Sequence, residues 1–194
     1  MHLPARHPSR HPSLRTRLLL TLCGLAAELL HLGWETTHGG VPAHHLLNDP
    51  AMPAISNWWG VLVVPLLVWF ALGRIERRGA TLVQAGSRER FTTVVRLRFA
   101  LSLAWGGALA LAFTSGHPAV SFLFLGAFVI APLVHGYRAE YLLGFVLGMT
   151  STFGAVLPLL AGSVIALFAC GTRLTIGALA RMARGGRARV AGLP

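Results

Sequence analysis

Apolar residues arrive in this chain as long blocks, neither alternating as in strands nor confined to one stripe of a surface helix. Leu18 to Trp34, Trp58 to Leu72, Phe99 to Phe113 and Ala119 to Val134 are mainly apolar runs, and a fifth block extends from Tyr141 to Cys170. A helix needs roughly 20 mainly apolar residues to cross ~30 Å of hydrocarbon, with about 17 as a practical lower limit. Every such span must be helical, because backbone groups in lipid find no water to bond. The fifth block would be ~45 Å long as one helix, too long for one span and short for two.

Charge decides between the two counts. If the block turns near Thr150 to Gly154, there are six spans and both termini share a side. The N-terminal arginines, the connection from Arg74 through Arg98, Arg138 and the C-terminal arginines then share that side too, and the opposite segments carry none. Arg and Lys favour cytoplasmic loops. The sequence therefore predicts an all-α, polytopic integral membrane helical bundle of six transmembrane helices with both termini cytoplasmic. Its expected parts are a disordered basic tail over 1–16, in which His2, His7 and His11 face anionic lipid, a transmembrane domain over 17–176, and a basic tail over 177–194. Within the domain, residues 35–56 form an outward loop and residues 74–96 a cytoplasmic one.

Composition agrees with a lipid bilayer as the solvent. Of 194 residues, 54% are hydrophobic and 12% charged, and the mean hydropathy is +0.63, which exceeds what a soluble core needs. The formal charge of +11 rests wholly on arginine. No basic face alternates with stacking aromatics, so nucleic acid is excluded as a partner and the charge is read as topology. Cys23 and Cys170 each lie in an apolar run, which rules out a disulfide framework. The basic-then-apolar start lacks a small-residue cleavage site and reads as an uncleaved first span. A bacterial-type inner membrane is the expected location. Pro65 and Pro158 are expected to kink their spans. Gly144 and Gly148 form a GxxxG pattern, read first as packing within the monomer and second as a homodimer contact.

Against this background the imidazoles and carboxylates are unevenly placed. Glu28, His31 and Glu35 lie on the first span, and His38, His44, His45 and Asp49 follow on the outward loop. At about 100° per residue, Glu28, His31 and Glu35 fall within a ~60° arc, one polar stripe on an apolar helix. Glu28, about 15 Å along the helix from Leu18, is near mid-bilayer, where a charged carboxylate costs at least ~2.5 to 3.5 kcal/mol. An ionisable residue at that depth is a site candidate. Ser56 and Asn57, at the start of the second span, and His117, in the next outward turn, are within its expected reach. Trp58 and Trp59 read as interfacial anchors.

Three functional readings follow. The first is a metal- or acid/base-dependent enzyme acting on a lipid or lipid-linked substrate. Here His31, His38, His44, His45 and His117 are candidate ligands for zinc, with iron, copper or haem as alternatives. Glu28, Glu35, Asp49 and Asn57 are the candidate catalytic groups, and a zinc-bound water of pKa about 7 would make the enzyme a hydrolase. The local spacing is neither the HExxH of a zinc protease nor the doubled pattern of a di-iron bundle, since Glu28-x-x-His31 has no second copy. The second reading is a proton-coupled small transporter with Glu28 and His31 as relay. The third is a non-catalytic protein in which the polar cluster locks helices together. His135 and Glu140, flanking Arg138, read as a charged turn.

Overall fold

Helices carry almost all of the described chain, as the apolar blocks predict. The computed structural model describes residues 14–46, 49–83 and 88–191. It places α1 at Leu14–Thr37, α2 at Gly60–Val83, α3 at Arg88–Thr114, α4 at Ala119–Val134, α5 at Ala139–Phe153 and α6 at Val156–Ala191. Four helical stretches, Leu14–Thr37, Asn57–Ala80, Glu89–Thr114 and Val156–Arg184, are long and apolar enough to cross a membrane. The other two are short, α4 matching the expected run from Ala119 to Val134 and α5 being the first of two short helices expected in the fifth block. With 16 and 15 residues, α4 and α5 rise only ~24 and ~22 Å.

The connections differ from expectation. The expected loop over 74–96 is mostly helix, because α2 continues to Val83 and α3 begins at Arg88. The basic segment from 177 continues α6 as far as Ala191. Residues 1–13, with His2, His7 and His11, lie outside the described residues. In the connection between α1 and α2, β1 (Ala43–His45) and β2 (Ala54–Ser56) pair antiparallel, with His44 opposite Ile55. A 3-10 turn over Asn57–Trp59 then leads into α2, capped by the Ser56 hydroxyl, which accepts from the Trp58 N–H.

The chain divides into two compact units, Met1–Leu97 and Arg98–Pro194. In the first, α1 and α2 run antiparallel along one seam. Gly24 admits the Val64 and Val68 side chains, and Leu32, Val64, Val68 and Ala71 are buried. Lipid is as apolar as leucine, so close packing rather than water exclusion joins these helices. One end of the seam is closed by Arg17. Its Nε donates to the Trp69 carbonyl at 3.0 Å, its guanidinium stacks 3.9 Å from the Trp69 ring, and it reaches Glu76 at 4.0 Å. Leu19, Leu30 and Trp34 point outward from α1, where lipid is their solvent.

In the second unit, small residues let helices touch backbone to backbone. A Cβ on Gly144 would meet the Ser102 hydroxyl and the Phe99 carbonyl, and one on Gly148 would meet the Leu103 carbonyl and the Gly107 N–H. The GxxxG pattern is thus taken up between α5 and α3 of the same chain. Leu109, Ala127, Ala131, Phe145, Met149, Ile165 and Ala169 form the core. The fifth apolar block does turn where expected: α5 ends at Gly154, whose φ of 65° suits glycine. Pro158 lies in the first turn of α6 rather than at a kink, a place where its missing N–H removes no helical bond.

At the far end of α4, His135 takes the left-handed conformation (φ 65°, ψ 46°) and ends the helix. Arg173 of α6 donates from Nε to the Pro132 carbonyl at 2.7 Å and from Nη2 to the Leu133 carbonyl at 3.0 Å. A cation on the last carbonyls of a helix also suits its dipole. Glu140 is fully buried and faces Arg98 at 3.4 Å. The segment read as a charged turn is therefore half interior, a role invisible in a pair 42 positions apart.

Candidate functional site

The polar stripe on α1 meets the start of α2 as one cluster. Glu28 is buried at 4% exposure and Asn57 at 2%, while His31 and Glu35 are partly buried beside them. Asn57 donates from Nδ2 to Glu35 Oε1 at 2.8 Å, and His31 Nε2 stands 3.7 Å from the same oxygen. Glu28 lies one turn before His31 and feels the charges of both His31 and Glu35.

Local structure explains why the cluster can form. The spacing of 28, 31 and 35 keeps one face toward α2. Asn57 is held from the other side by its backbone N–H, which donates to the Pro42 carbonyl at 3.1 Å. The hairpin therefore delivers the amide to Glu35. Gly60, the first residue of α2, supplies the space for Glu28: a Cβ there would overlap the Glu28 carboxyl. The sequence reading missed Gly60. Its signal was faint, a glycine placed directly after the Trp58–Trp59 anchor.

Four buried atoms of this cluster have no hydrogen-bond partner among the described residues: Glu28 Oε1, His31 Nδ1, Glu35 Oε2 and Asn57 Oδ1. Buried polar groups are bonded in more than about 90% of cases, and each one left alone costs about 1–3 kcal/mol. Here four such atoms lie on neighbouring side chains. Carboxylate, imidazole, carboxylate and amide in series can accept, donate and pass protons.

The remaining sequence candidates are held elsewhere. His38 stacks on Trp34 with ring centroids 3.5 Å apart, and its Nδ1 lies 2.9 Å from the Trp34 carbonyl. His45 Nδ1 lies 2.7 Å from the Met52 carbonyl across the hairpin, on an exposed edge. His44 is the half-buried centre of β1. Asp49 is exposed and accepts from the Ala51 N–H at 2.9 Å, closing a turn. His117, in the second unit, accepts from the Ala119 N–H at 3.1 Å and starts α4. The expected zinc set of His31, His38, His44, His45 and His117 is not assembled: among the described residues no three His, Cys, Asp or Glu side chains are grouped to hold a metal ion. His38 and His45 each engage Nδ1 with a nearby backbone carbonyl, one beside Trp34 and the other across the hairpin, so the two rings are held by different neighbours.

Trp58 and Trp59 are more than half exposed, as interfacial anchors should be. No protein family matches the chain, and no curated protein or solved structure matches it significantly.

Proposed function

We propose that this is a multi-pass membrane protein that couples movement of a small solute to protons, with Glu28 as the group that takes up and releases the proton. The observation that carries the reading is the series of unpartnered buried atoms on Glu28, His31, Glu35 and Asn57. An ionisable side chain buried inside a span is a site candidate. Glu28 lies against Gly60, directly after the Trp58–Trp59 anchors and so toward the interface rather than at mid-bilayer as its position along α1 predicts, and two further ionisable side chains follow it along α1 at single-turn spacing. His31 is the natural shuttle, since an imidazole can accept at one ring nitrogen while it donates from the other. Asn57 orients Glu35 without titrating. The arginine distribution supports a bacterial-type inner membrane with both termini cytoplasmic, which sets the cluster near the outer leaflet.

Purified protein in liposomes tests this. With a panel of small solutes supplied on one side, an imposed pH gradient should collapse faster with the wild type than with Glu28→Gln for at least one of them, and His31→Ala should be slowed as well. Equal rates in wild type, variants and empty liposomes would end the proposal.

A second reading keeps the site and changes its use. A cavity of about 270 Å³ lined by Ser56, Trp58, Trp59, Val61 and Leu62 adjoins Asn57 in sequence and opens at the level of the tryptophan anchors. In this reading Glu35 and His31 of the neighbouring cluster act as an acid/base pair on a lipid-linked substrate. Turnover of such a substrate that Glu35→Gln abolishes, with pH gradients collapsing no faster than in empty liposomes, would favour the enzyme.

A further inference from the structure

The last helix of the second unit is longer than a bilayer requires. Between Val156 and Arg173 the axis of α6 rises ~26 Å, close to the ~30 Å of hydrocarbon. Arg173 stands at the edge of that layer. Its guanidinium holds the Pro132 and Leu133 carbonyls where α4 ends, and α5 begins just after, beyond Arg138. Both helices that pack along α6 therefore stop at this level, whereas α6 continues from Leu174 to Ala191, a further ~27 Å.

Large apolar side chains persist on this extension. Leu174, Ile176, Leu179 and Met182 are each at least 60% exposed. Short of Arg173 such exposure is met by lipid tails; past it, the helix leaves the hydrocarbon with this surface uncovered by any described part of the chain. At about 100° per residue, Ile176, Leu179 and Met182 lie within a ~120° arc, and Arg181 and Arg184 lie within ~60° on the opposite side. Both arginines are exposed. No Asp or Glu occurs anywhere along α6 to offset them.

An apolar strip opposite a basic strip is the pattern of a helix that lies in a membrane interface, one face in the acyl boundary and the other among headgroups. A second copy of α6 would cover the apolar strip alone and leave the guanidinium groups uncompensated. An anionic headgroup layer answers both faces at once. From the exposed apolar strip, the opposed arginines and the absence of acid, we infer that α6 beyond Arg173 docks on the anionic lipid surface of the leaflet it emerges from. Ile176, Leu179 and Met182 enter the acyl boundary, and Arg181 and Arg184 pair with lipid phosphates. Gly177, against which nothing packs, is the point where the helix bends toward the surface, since glycine weakens a helix interior. This docking is independent of Glu28.

Hydrogen–deuterium exchange of the full chain tests this, in nanodiscs of dioleoyl phosphatidylcholine and of its equimolar mixture with dioleoyl phosphatidylglycerol. Amides over 178–184 should exchange at least about fivefold more slowly on the anionic discs, the gain expected from one Arg near such a surface. Amides of α5 should not change. Arg181→Gln and Met182→Ser should each shrink the difference, and high salt should shrink it in the wild type. The wild-type comparison needs no variant to fold. Equal exchange over 178–184 on the two kinds of disc would overturn the inference, and so would a slowing shared equally by α5. A slowing that needs two copies per disc would assign the strip to self-association instead. One that soluble polyglutamate reproduces on neutral discs would assign it to an acidic protein, and either result contradicts lipid docking.

Discussion

The carboxyl group of Glu28 lies directly against the backbone of Gly60, in space that a single methyl group would take away. This contact lets a carboxylic side chain fit within the α1–α2 seam, and it brings an ionisable group to an interface otherwise made of Gly24, Val64 and Val68.

Gly60→Ala should therefore separate site from fold. The clashing atoms are at the free end of a long side chain, so the cost in stability should stay near the low end for overpacking, about 1 kcal/mol. The displaced carboxyl should slow gradient collapse by about tenfold to a hundredfold, the loss expected for a misplacement of order 1 Å. Thermal unfolding in detergent and liposome flux on the same preparation measure the two effects.

Glu28→Leu distinguishes a working site from a helix lock. Leucine removes an unpartnered buried carboxyl and keeps most of the volume, so the variant should be as stable as the wild type or more so by about 1–3 kcal/mol, while flux is lost. Such a trade-off is expected where function opposes stability. A lower unfolding temperature would indicate that the carboxyl serves packing.

Asn57 plays the opposite part. Its side chain is 2% exposed and donates to Glu35, so Asn57→Ala leaves Glu35 Oε1 without that donor and should cost about 1–3 kcal/mol. The loss should be smaller in a Glu35→Gln background, and a double-mutant cycle on unfolding midpoints reads the coupling.

In the second unit, Glu140→Gln should destabilise by about 1.5–3 kcal/mol, the range for a hydrogen bond to a charged group. Arg98→Met combined with Glu140→Leu should recover part of that loss, because a buried ion pair is often replaceable by apolar groups when both partners go.

His135 gives a pH dependence of known sign. Burial and the neighbouring arginines lower its folded pKa below the ordinary value of 6.5, so between the two values the unfolded chain binds more protons. Stability contributed by this residue then rises with pH through that window. The penalty is complete below the folded pKa and absent above the unfolded one. Unfolding midpoints of wild type and His135→Gln, measured from about pH 5 to about pH 8, should converge at the alkaline end and differ in slope on the acidic side.

Much of the helical framework was legible because lipid imposes a long apolar run on any span. Glu28, His31 and Glu35 could be read as one stripe because helical spacing is local, and Asn57 joined them because it opens the next span. The loop histidines were not legible in the same way. Their ring atoms are governed by the hairpin register and by Trp34, and a spacing of six or seven residues does not encode either. Gly60 and the Arg98–Glu140 pair depend on which helices touch, information that periodicity does not carry. The bounds of α4 and the turn at Gly154 that ends α5 were legible too, because each closes an apolar run.

Infrared difference spectroscopy of the protein in lipid, recorded between acidic and alkaline pH, examines the proton on Glu28 directly. The account predicts a protonated-carboxyl stretching band that changes with pH, disappears in Glu28→Gln and persists in Glu35→Gln. A wild-type difference spectrum identical to that of Glu28→Gln would mean that this carboxyl exchanges no proton, and would contradict it.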